Sequence, residues 1–251
     1  MSIYLKTENG ILYHGDCMEH FGKIRNGAVD MVLCDLPYGI TECKWDTKIP
    51  LAPLWDQWGR ILKENGTVCL TAQQPFVTEL INSTKRPFRF RYELIWEKSK
   101  ACGFLNANRM PLRAHENILI FYRKLPRYMP QMTEGRPYST KGGQEKKSSI
   151  YHFDGKKTAT ENHGTRFPRS VLRFATESQT EHPTEKPQAL FEWLIRTYTI
   201  PGETVVDNCM GGGTTAAAAE ATGRRWIGME MEEHWCKATR ERLREQGCCF
   251  I

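Results

Sequence analysis

Short apolar runs that end abruptly at polar turns open this chain and predict buried strands. Residues 11–13 and residues 31–34 are two such runs. Apolar side chains recur at helical spacing over residues 54–62, and a Glu-Asn-Gly sequence then predicts the end of that helix. Residues 67–70 predict the next strand, so the first part of the chain alternates strand, helix and strand.

The middle of the chain loses this regularity. Residues 76–81 predict a helix, and residues 90–96 and 118–122 predict two β-strands that can pair at one sheet edge. From residue 126 to residue 181 the sequence is rich in Pro, Gly, Ser, Thr and charge, with isolated aromatic residues. Such a stretch is too long for a plain connection, so we expect it to be functional or partly disordered.

Regular patterns return after Pro187, where apolar residues mark one face of a helix. A strand over residues 204–206, an alanine-rich helix over 214–221, a strand over 226–229 and a charged amphipathic helix over 232–245 follow. Strands that alternate with helices predict an α/β fold with a doubly wound, mostly parallel sheet covered on both faces.

The composition agrees with one α/β domain that carries an irregular insertion. The chain has 251 residues, of which 40% are hydrophobic and 25% charged, as in ordinary globular proteins. We expect the two halves of the domain at residues 1–124 and 182–251 and the insertion at residues 125–181. A formal net charge of +6 fits a polyanionic partner without requiring one.

The cysteine count and the apolar runs bound the class of protein further. Nine cysteines, an odd number without a C-x-x-C pair, argue against a disulfide framework and against a cysteine zinc site. No apolar run approaches a membrane-spanning length and the amino terminus lacks a signal-peptide pattern. We therefore expect reduced thiols, no metal, no membrane association and a cytoplasmic location.

A glycine-rich turn follows the strand predicted at residues 204–206. It reads Asp207-Asn208-Cys209-Met210-Gly211-Gly212-Gly213-Thr214-Thr215 and leads into a helix. Glycines permit a close ligand approach that a β-carbon would block. Glu230 ends the next predicted strand 23 residues after Asp207, the separation at which an acidic residue reaches ribose hydroxyls. A nucleoside site explains both features better than an ordinary strand–helix turn.

A second polar turn, Asp35-Leu36-Pro37-Tyr38, follows the strand predicted at residues 31–34. An exocyclic amine of a nucleobase is a poor nucleophile because its lone pair is delocalised into the ring. The Asp35 carboxylate and the carbonyls beside Pro37 can accept both N–H bonds and stabilise the positive charge that develops on nitrogen. Tyr38 would stack on the base. The alternative is a simple turn, since Asp, Pro and Gly all form turns.

These two turns, together with His182-Pro183-Thr184-Glu185-Lys186-Pro187, resemble the DNA amino-methyltransferases that use S-adenosylmethionine. The catalytic motif precedes the cofactor motif, with a variable insertion between them, which is the order of the family's beta group. The resemblance implies a Rossmann-like methyltransferase fold, no metal, and catalytic roles for Asp35, Leu36, Pro37 and Tyr38. Leu36, Cys209 and Gly212 depart from the residues that the family usually has at these positions.

The resemblance also implies a set of cofactor contacts. Asp16 is expected near the adenine, Glu230 on the ribose, and Thr184 and Lys186 near the methionine end. The full set of cofactor-binding residues implied in this way is Asp16, Cys17, Asp35, Thr184, Lys186, Asp207, Asn208, Cys209, Gly211, Gly213, Thr214, Thr215 and Glu230.

DNA is the expected partner. Two segments resemble family segments that flank the base pocket and give Trp96, Lys98 and Arg113 as contacts, although either cation can equally be a surface charge. Between residues 124 and 173 eleven basic residues stand against four acidic ones, which suits phosphate contacts or a solvated loop. The expected DNA contacts there are Lys146, Lys147, Lys156, Lys157, Arg166 and Arg169.

The substrate that these residues favour is the N6 amine of an adenine rotated out of duplex DNA, methylated at a specific site. Asp35 supports adenine, because similar cytosine-N4 enzymes usually have serine at this position. Cytosine-N4 is the nearest alternative, followed by a catalytically weak nucleic-acid-binding protein or an RNA methyltransferase. The size is that of a phage-borne or solitary bacterial enzyme, and the sequence leaves open both a restriction-modification partner and a homodimer.

Overall fold

A computed structural model of the chain describes residues 2–39, 47–144, 155–176 and 185–251. In its first part the elements are β1 (Ser2–Lys6), β2 (Gly10–His14), α1 (Cys17–His20), β3 (Val29–Asp35), α2 (Leu51–Ile61), β4 (Leu62–Ala72), α3 (Phe76–Asn82), β5 (Arg89–Cys102) and β6 (Arg113–Tyr122).

In its second part the elements are β7 (Thr133–Glu134), β8 (Tyr138–Thr140), β9 (Gly143–Gln144), β10 (Lys156–Lys157), β11 (Thr160–Asn162), β12 (Thr165–Arg166), β13 (Val171–Phe174), α4 (Gln188–Tyr198), β14 (Thr204–Asp207), α5 (Thr214–Ala221), β15 (Arg225–Glu230) and α6 (Glu233–Glu245).

Nine strands form the main sheet in the order β1-β2-β15-β14-β3-β4-β6-β5-β13. Strands β2, β15, β14, β3 and β4 are parallel to one another. Strand β1 is antiparallel to β2, and β6, which lies between β4 and β5, is antiparallel to both. Two apolar clusters of buried residues contain side chains of the sheet together with those of the helices. The expected doubly wound, mostly parallel α/β sheet is confirmed.

The chain reverses its winding direction between β3 and β14. These strands are parallel neighbours, with Met31 opposite Val205 and Val32 opposite Val206. From β3 the chain crosses through α2 to β4 on one side, and from β14 it crosses through α5 to β15 on the other. The carboxyl ends of β3 and β14 therefore flank the topological switch point, where ligands bind in folds of this kind.

Two local expectations differ from the structure. Helix α2 ends at Ile61 and β4 begins directly at Leu62, so the Glu-Asn-Gly sequence lies within the strand. The pairing of β4 with β3 shifts in register between Val29 and Met31, and this irregularity accommodates the Glu-Asn-Gly residues. Strands β5 and β6 do pair as expected, but β13 pairs in parallel with β5 and forms the sheet edge instead.

Contacts divide the chain into two compact units, Met1–Met129 with Ser170–Ile251, and Pro130–Arg169. Within the smaller unit β7 pairs with β12, β8 with β11, and β9 with β10, all antiparallel and in nested order. The described residues of this unit, here called the insertion arm, therefore form three nested antiparallel strand pairs. Its strands were not expected, because their mostly exposed side chains give no alternation of apolar and polar residues. None of the helices within the described ranges is long and apolar enough to cross a membrane.

Candidate functional site

The two polar turns predicted from the sequence meet at the switch point. Asp35 is the last residue of β3 and Asp207 the last residue of β14, on neighbouring parallel strands. The Asp35 charge is close enough to contribute to the raised pKa of Asp207. Residues distant in sequence are thus brought to one edge of the sheet by strand order alone.

The Asp35 carboxylate is held by three side-chain donors, one from its own turn and two from distant parts of the chain. The Tyr38 hydroxyl donates to Oδ1 over 2.7 Å, and the Thr71 hydroxyl at the end of β4 donates to the same oxygen. The Lys186 ammonium donates to Oδ2 over 2.5 Å. Asp35 is therefore a fixed, charge-paired anion, while about a quarter of its side chain remains open to solvent.

Lys186 also belongs to a buried chain of charges that extends away from Asp35. Its Nζ lies 3.3 Å from Glu116 Oε2, and Lys98 Nζ lies 2.5 Å from Glu116 Oε1. The side chains of Lys186, Glu116 and Lys98 are 4%, 6% and 8% exposed. Gln73 Nε2 donates to Glu116 Oε1 over 2.9 Å. With Asp35 the four ionic groups carry no net charge.

Opposite charges keep both central members of this chain ionised. Burial alone would raise the pKa of Glu116, but the charges of Lys186 and Lys98 bring it below its ordinary value. Burial alone would lower the pKa of Lys186, but Asp35 and Glu116 raise it above its ordinary value. The pairing thus opposes the desolvation that would otherwise neutralise these side chains.

Asp207 organises the glycine turn from its buried position. Its Oδ1 accepts the backbone N–H of Cys209 over 2.9 Å, and its Oδ2 accepts the Thr215 hydroxyl over 2.5 Å. Burial raises the pKa of Asp207 to about 6, against these hydrogen bonds, which lower it. The carboxylate therefore ties β14 to the first turn of α5.

The turn itself requires glycine at two positions. Gly213 has φ +85°, and a β-carbon there would come within 2.8 Å of the Thr239 side chain. Gly211 has φ +53°, and a β-carbon there would project into open space. Gly213 is thus needed for packing, whereas Gly211 leaves room for a ligand to approach the backbone.

Glu230 stands beside Gly211 at the end of β15. Its Oε2 accepts the Gly211 N–H over 2.7 Å and its Oε1 accepts the Glu232 N–H over 2.8 Å. Burial raises the pKa of Glu230. Strand β2 is the neighbour of β15, and the exposed Asp16 follows shortly after β2 ends. Asp16 caps α1 by accepting the Met18 N–H over 2.9 Å.

These features fit an adenosyl cofactor. Open space at Gly211 lies next to a carboxylate, Glu230, whose remaining lone pairs can accept ribose hydroxyls. Asp16 follows the neighbouring strand β2, and Cys209 lies close enough to Cys17 to contribute to the raised pKa of the Cys17 thiol. The turn, Glu230 and Asp16 therefore form one continuous edge of the sheet.

Other expected cofactor residues serve the packing of the turn. Asn208 is 3% exposed, and its Oδ1 accepts the indole N–H of Trp58 over 3.1 Å. The Thr214 hydroxyl accepts from Arg242 over 2.8 Å and donates to Glu185 over 3.3 Å. These contacts hold the turn against α2 and α6, and the cofactor contact expected of Asn208 stays a prediction.

The residues expected to flank the base pocket all have partners within the protein. Trp96 is 2% exposed, and its indole N–H donates to the Phe174 carbonyl over 2.9 Å, so the ring is a core side chain. Lys98 binds Glu116 rather than facing solvent. Arg113 is exposed but donates to Gln73 Oε1 over 2.8 Å. Trp96 and Lys98 are buried and Arg113 is exposed, and contact of these three residues with DNA stays a prediction.

The expected contacts in the insertion fall into three groups. Arg166 is engaged within the arm, with its guanidinium 4.7 Å from the Tyr138 ring centre and bonded to Asn162 Oδ1 over 2.7 Å. Lys156, Lys157 and Arg169 are exposed on the arm. Lys146 and Lys147, and Thr184 of the predicted cofactor set, lie outside the described residues.

Sequence reasoning gave no role to Thr71 or Gln73 and only a weak one to the segment that contains Glu116. A signal was present, because Glu116-Asn117 directly precedes the apolar run 118–121, and Thr71 ends the apolar run 68–70. A charged or hydroxyl residue that continues a buried strand must find a partner. The partner itself depends on the fold.

The comparisons with known proteins agree with this geometry. A family model described as DNA methylase matches residues 29–241. The chain belongs to the DNA methylase family. The family comprises S-adenosylmethionine-dependent N6 and N4 amino-methyltransferases, which confirms the family and the cofactor expected from the sequence.

Curated relatives of this DNA methylase include two bacterial enzymes. The chain is 24% identical to the type II methyltransferase M2.DpnII of Streptococcus pneumoniae, over 97% of this chain and 93% of the relative. It is 25% identical to the DNA adenine methyltransferase YhdJ of Escherichia coli K12, over 94% of this chain and 83% of the relative.

Solved structures share the fold. The complex of M1.HpyAVI with S-adenosylmethionine superimposes with a TM-score of 0.66 at 21% identity, covering 92% of this chain and 98% of that protein. The cytosine-N4-specific PvuII DNA methyltransferase superimposes with a TM-score of 0.67 at 17% identity, covering 96% of this chain and 88% of that protein. Within the described residues of the DNA methylase, no group of three or more His, Cys, Asp or Glu side chains that could hold a metal ion is found.

The buried Asp207 gives a pH-dependent stability. Its folded-state pKa of about 6 lies above its ordinary value of 3.8, so the folded state binds the proton more tightly and gains stability as pH falls through 6. Asp207→Asn keeps the shape and removes this proton. We expect the free energy of unfolding of the wild type, relative to that variant, to rise by about 1 kcal/mol between pH 7 and pH 5 in urea titrations. A constant difference would contradict the raised pKa.

Proposed function

We propose that this DNA methylase transfers the methyl group of S-adenosylmethionine to the N6 amine of an adenine in DNA. The observation that carries the proposal is the Asp35 carboxylate, fixed by Thr71, Tyr38 and Lys186 at the strand end next to the glycine turn. An anionic acceptor thus stands at the switch point, beside the segment that fits the cofactor.

Asp35 and its neighbours act on the amine. When bound, S-adenosylmethionine supplies an electrophilic methyl group on a sulfonium sulfur. Asp35 and the backbone carbonyls beside Pro37 accept the amine hydrogens, which concentrates the lone pair on nitrogen and offsets its developing positive charge. The nitrogen forms the new N–C bond, the electron pair of the broken S–C bond remains on sulfur, and one amine proton is released to water.

Tyr38 and Leu36 complete the pocket in different ways. The half-buried Tyr38 ring lies 5.4 Å from the Phe76 ring and is anchored through its hydroxyl to Asp35, so it can present a rigid face to a base rotated out of the stack. The Leu36 side chain is 3% exposed and packs in the core, which explains how leucine replaces the usual proline while its carbonyl remains in the loop.

The cofactor would be held along the edge formed by β2, β15 and β14. We assign the adenine end to Asp16, the ribose hydroxyls to Glu230, and the backbone approach to Gly211. Lys186, expected at the methionine end, is bonded to Asp35 and joins the cofactor side of the site to the catalytic side.

Cytosine-N4 is the second candidate substrate. Both bases present an amidine-like amine, and the PvuII enzyme with a similar fold is cytosine-N4-specific by name, whereas the relative YhdJ is named a DNA adenine methyltransferase. Asp35 tips the proposal towards adenine, because it resembles the first residue of the adenine-specific motif rather than the serine of the cytosine-specific one.

Nucleoside analysis tests the proposal. Unmodified DNA is incubated with the protein and labelled S-adenosylmethionine, digested to nucleosides and analysed by mass spectrometry, with an equal amount of RNA as a parallel substrate. N6-methyladenine in DNA is expected. N4-methylcytosine as the sole product would refute the adenine assignment, and transfer to RNA alone, or to neither polymer, would refute DNA methylation.

A further inference from the structure

The hairpin formed by β5 and β6 extends beyond the catalytic end of the sheet. At the level of Asp35 the neighbouring strands contribute Thr71 and then Ile118, and the last pairing of β4 with β6 is Ala72 with Asn117. Strand β6 continues from Asn117 back to Arg113, which adds roughly 13 Å at about 3.3 Å per residue. The connecting residues 103–112, here called the hairpin tip, therefore overhang the edge that carries Asp35 and Tyr38.

The hairpin tip is apolar and exposed, although it is part of the compact main unit. Leu105 is fully exposed, Phe104 is 69% exposed and Met110 is 55% exposed. Phe104 and Leu105 lie in a short 3-10 turn, which begins after Gly103 at φ +94°. Exposure of adjacent apolar side chains to water is unfavourable in the isolated protein, so these side chains indicate a surface that contacts a partner.

The charges around the hairpin tip are all positive. Between Lys98 and His115 the sequence contains Lys98, Lys100, Arg109 and Arg113 and neither Asp nor Glu. Lys100 and Arg109 are exposed. A partner for this surface must therefore combine anionic groups with apolar faces, as the phosphates and stacked bases of nucleic acid do. A second copy of this chain fits less well, since it would bring a like net charge of +6.

We propose that the hairpin tip inserts Phe104 and Leu105 into the base stack of duplex DNA beside the target nucleotide. Apolar wedges of this kind partly unstack neighbouring bases, and side chains such as Phe, Leu and Met serve as wedges in other DNA-binding proteins. Lys100 and Arg109 contact the flanking phosphates. The wedge stabilises the duplex from which the base has been rotated into the Tyr38 pocket, so the inference rests on the proposed methylation of DNA.

Two substrates separate this role from a general contribution to DNA affinity. One is a duplex that contains the sequence methylated by the wild-type protein, and the other is the same duplex with an abasic site opposite the target base. The second duplex lacks the base pair that must be opened, so its methylation should depend little on the wedge. The test variant is the double substitution Phe104→Ala with Leu105→Ala. The control is Ile251→Ala, which truncates another highly exposed aliphatic side chain.

We expect the double variant to lower kcat/KM on the matched duplex by roughly 10-fold to 100-fold, and on the abasic duplex by less than about threefold. The control should remain within about twofold of the wild type on both. Equal losses on both duplexes, or no loss on either, would overturn the wedge. A dimeric role for the tip would also overturn the wedge. In that case the wild type would sediment as a dimer and the double variant as a monomer, while the ratio of kcat/KM between the two duplexes stayed unchanged. Failure of the proposed function is distinct, because the wild type itself would then methylate neither duplex.

Discussion

Asp35→Ala should abolish methyl transfer while leaving S-adenosylmethionine binding within about threefold of the wild type. The carboxylate is the anionic acceptor that stabilises positive charge on the amine, and losing one preorganised group of this kind costs about 100-fold or more in kcat. Its partners Thr71 and Tyr38 belong to the catalytic side of the switch point, and Lys186 keeps Glu116 as a partner when Asp35 is removed. Labelled methyl transfer to DNA and calorimetric titration of the cofactor measure the two effects separately.

Asp56→Ala provides the matched control for that experiment. Asp56 pairs with Lys85 on the exposed surface of α2, and 58% of its side chain is open to solvent. The control should retain both transfer and binding. If Asp35→Ala loses transfer and cofactor affinity to the same degree, Asp35 serves the cofactor instead of the amine.

Glu116→Gln should produce the second large effect, a loss of about 3 kcal/mol in the free energy of unfolding. The substitution keeps the shape of the side chain but leaves the buried Lys98 without its carboxylate and Lys186 with Asp35 alone. Removing one partner of a buried ion pair leaves an uncompensated charge in a region of low polarity. Urea unfolding at pH 7, where Glu116 is ionised, measures the loss.

Glu79→Gln is the control for Glu116→Gln. Glu79 pairs with Lys48, and both side chains are more than 40% exposed. Its removal should change the free energy of unfolding by less than about 1 kcal/mol, because water screens the pair. Equal effects of the two substitutions would show that the Glu116 pairs contribute no more than surface contacts do.

The sequence was informative wherever an apolar run ended in a polar turn. The strands that end at Asp35 and Asp207 were predicted because buried parallel strands are nearly continuous apolar runs, and their polar residues then fall at the ligand-binding edge. The doubly wound sheet followed from the same alternation. These features are local, so they can be derived without knowing which strands are neighbours.

The charge pairs could not be predicted in this way. Lys186 meets Asp35 and Glu116 across 151 and 70 positions of sequence, and only the strand order places them together. The burial of Trp96 could not be predicted for a related reason, because a position in a motif does not reveal how deeply a ring is buried. The strands of the insertion arm were not predicted because strand pairs whose side chains are mostly exposed need no apolar periodicity.

Because the winding reverses between β3 and β14, the geometry of the site depends on which strands are neighbours and not on the order of the two segments along the chain. Each strand delivers its own loop, and the two loops meet only because the strands are hydrogen-bonded neighbours. A polypeptide that ran through the cofactor segment first and the Asp35 segment second could therefore assemble the same cleft, provided that the sheet kept its spatial sequence. Evolution or an engineer can thus permute the two segments without redesigning the chemistry between them.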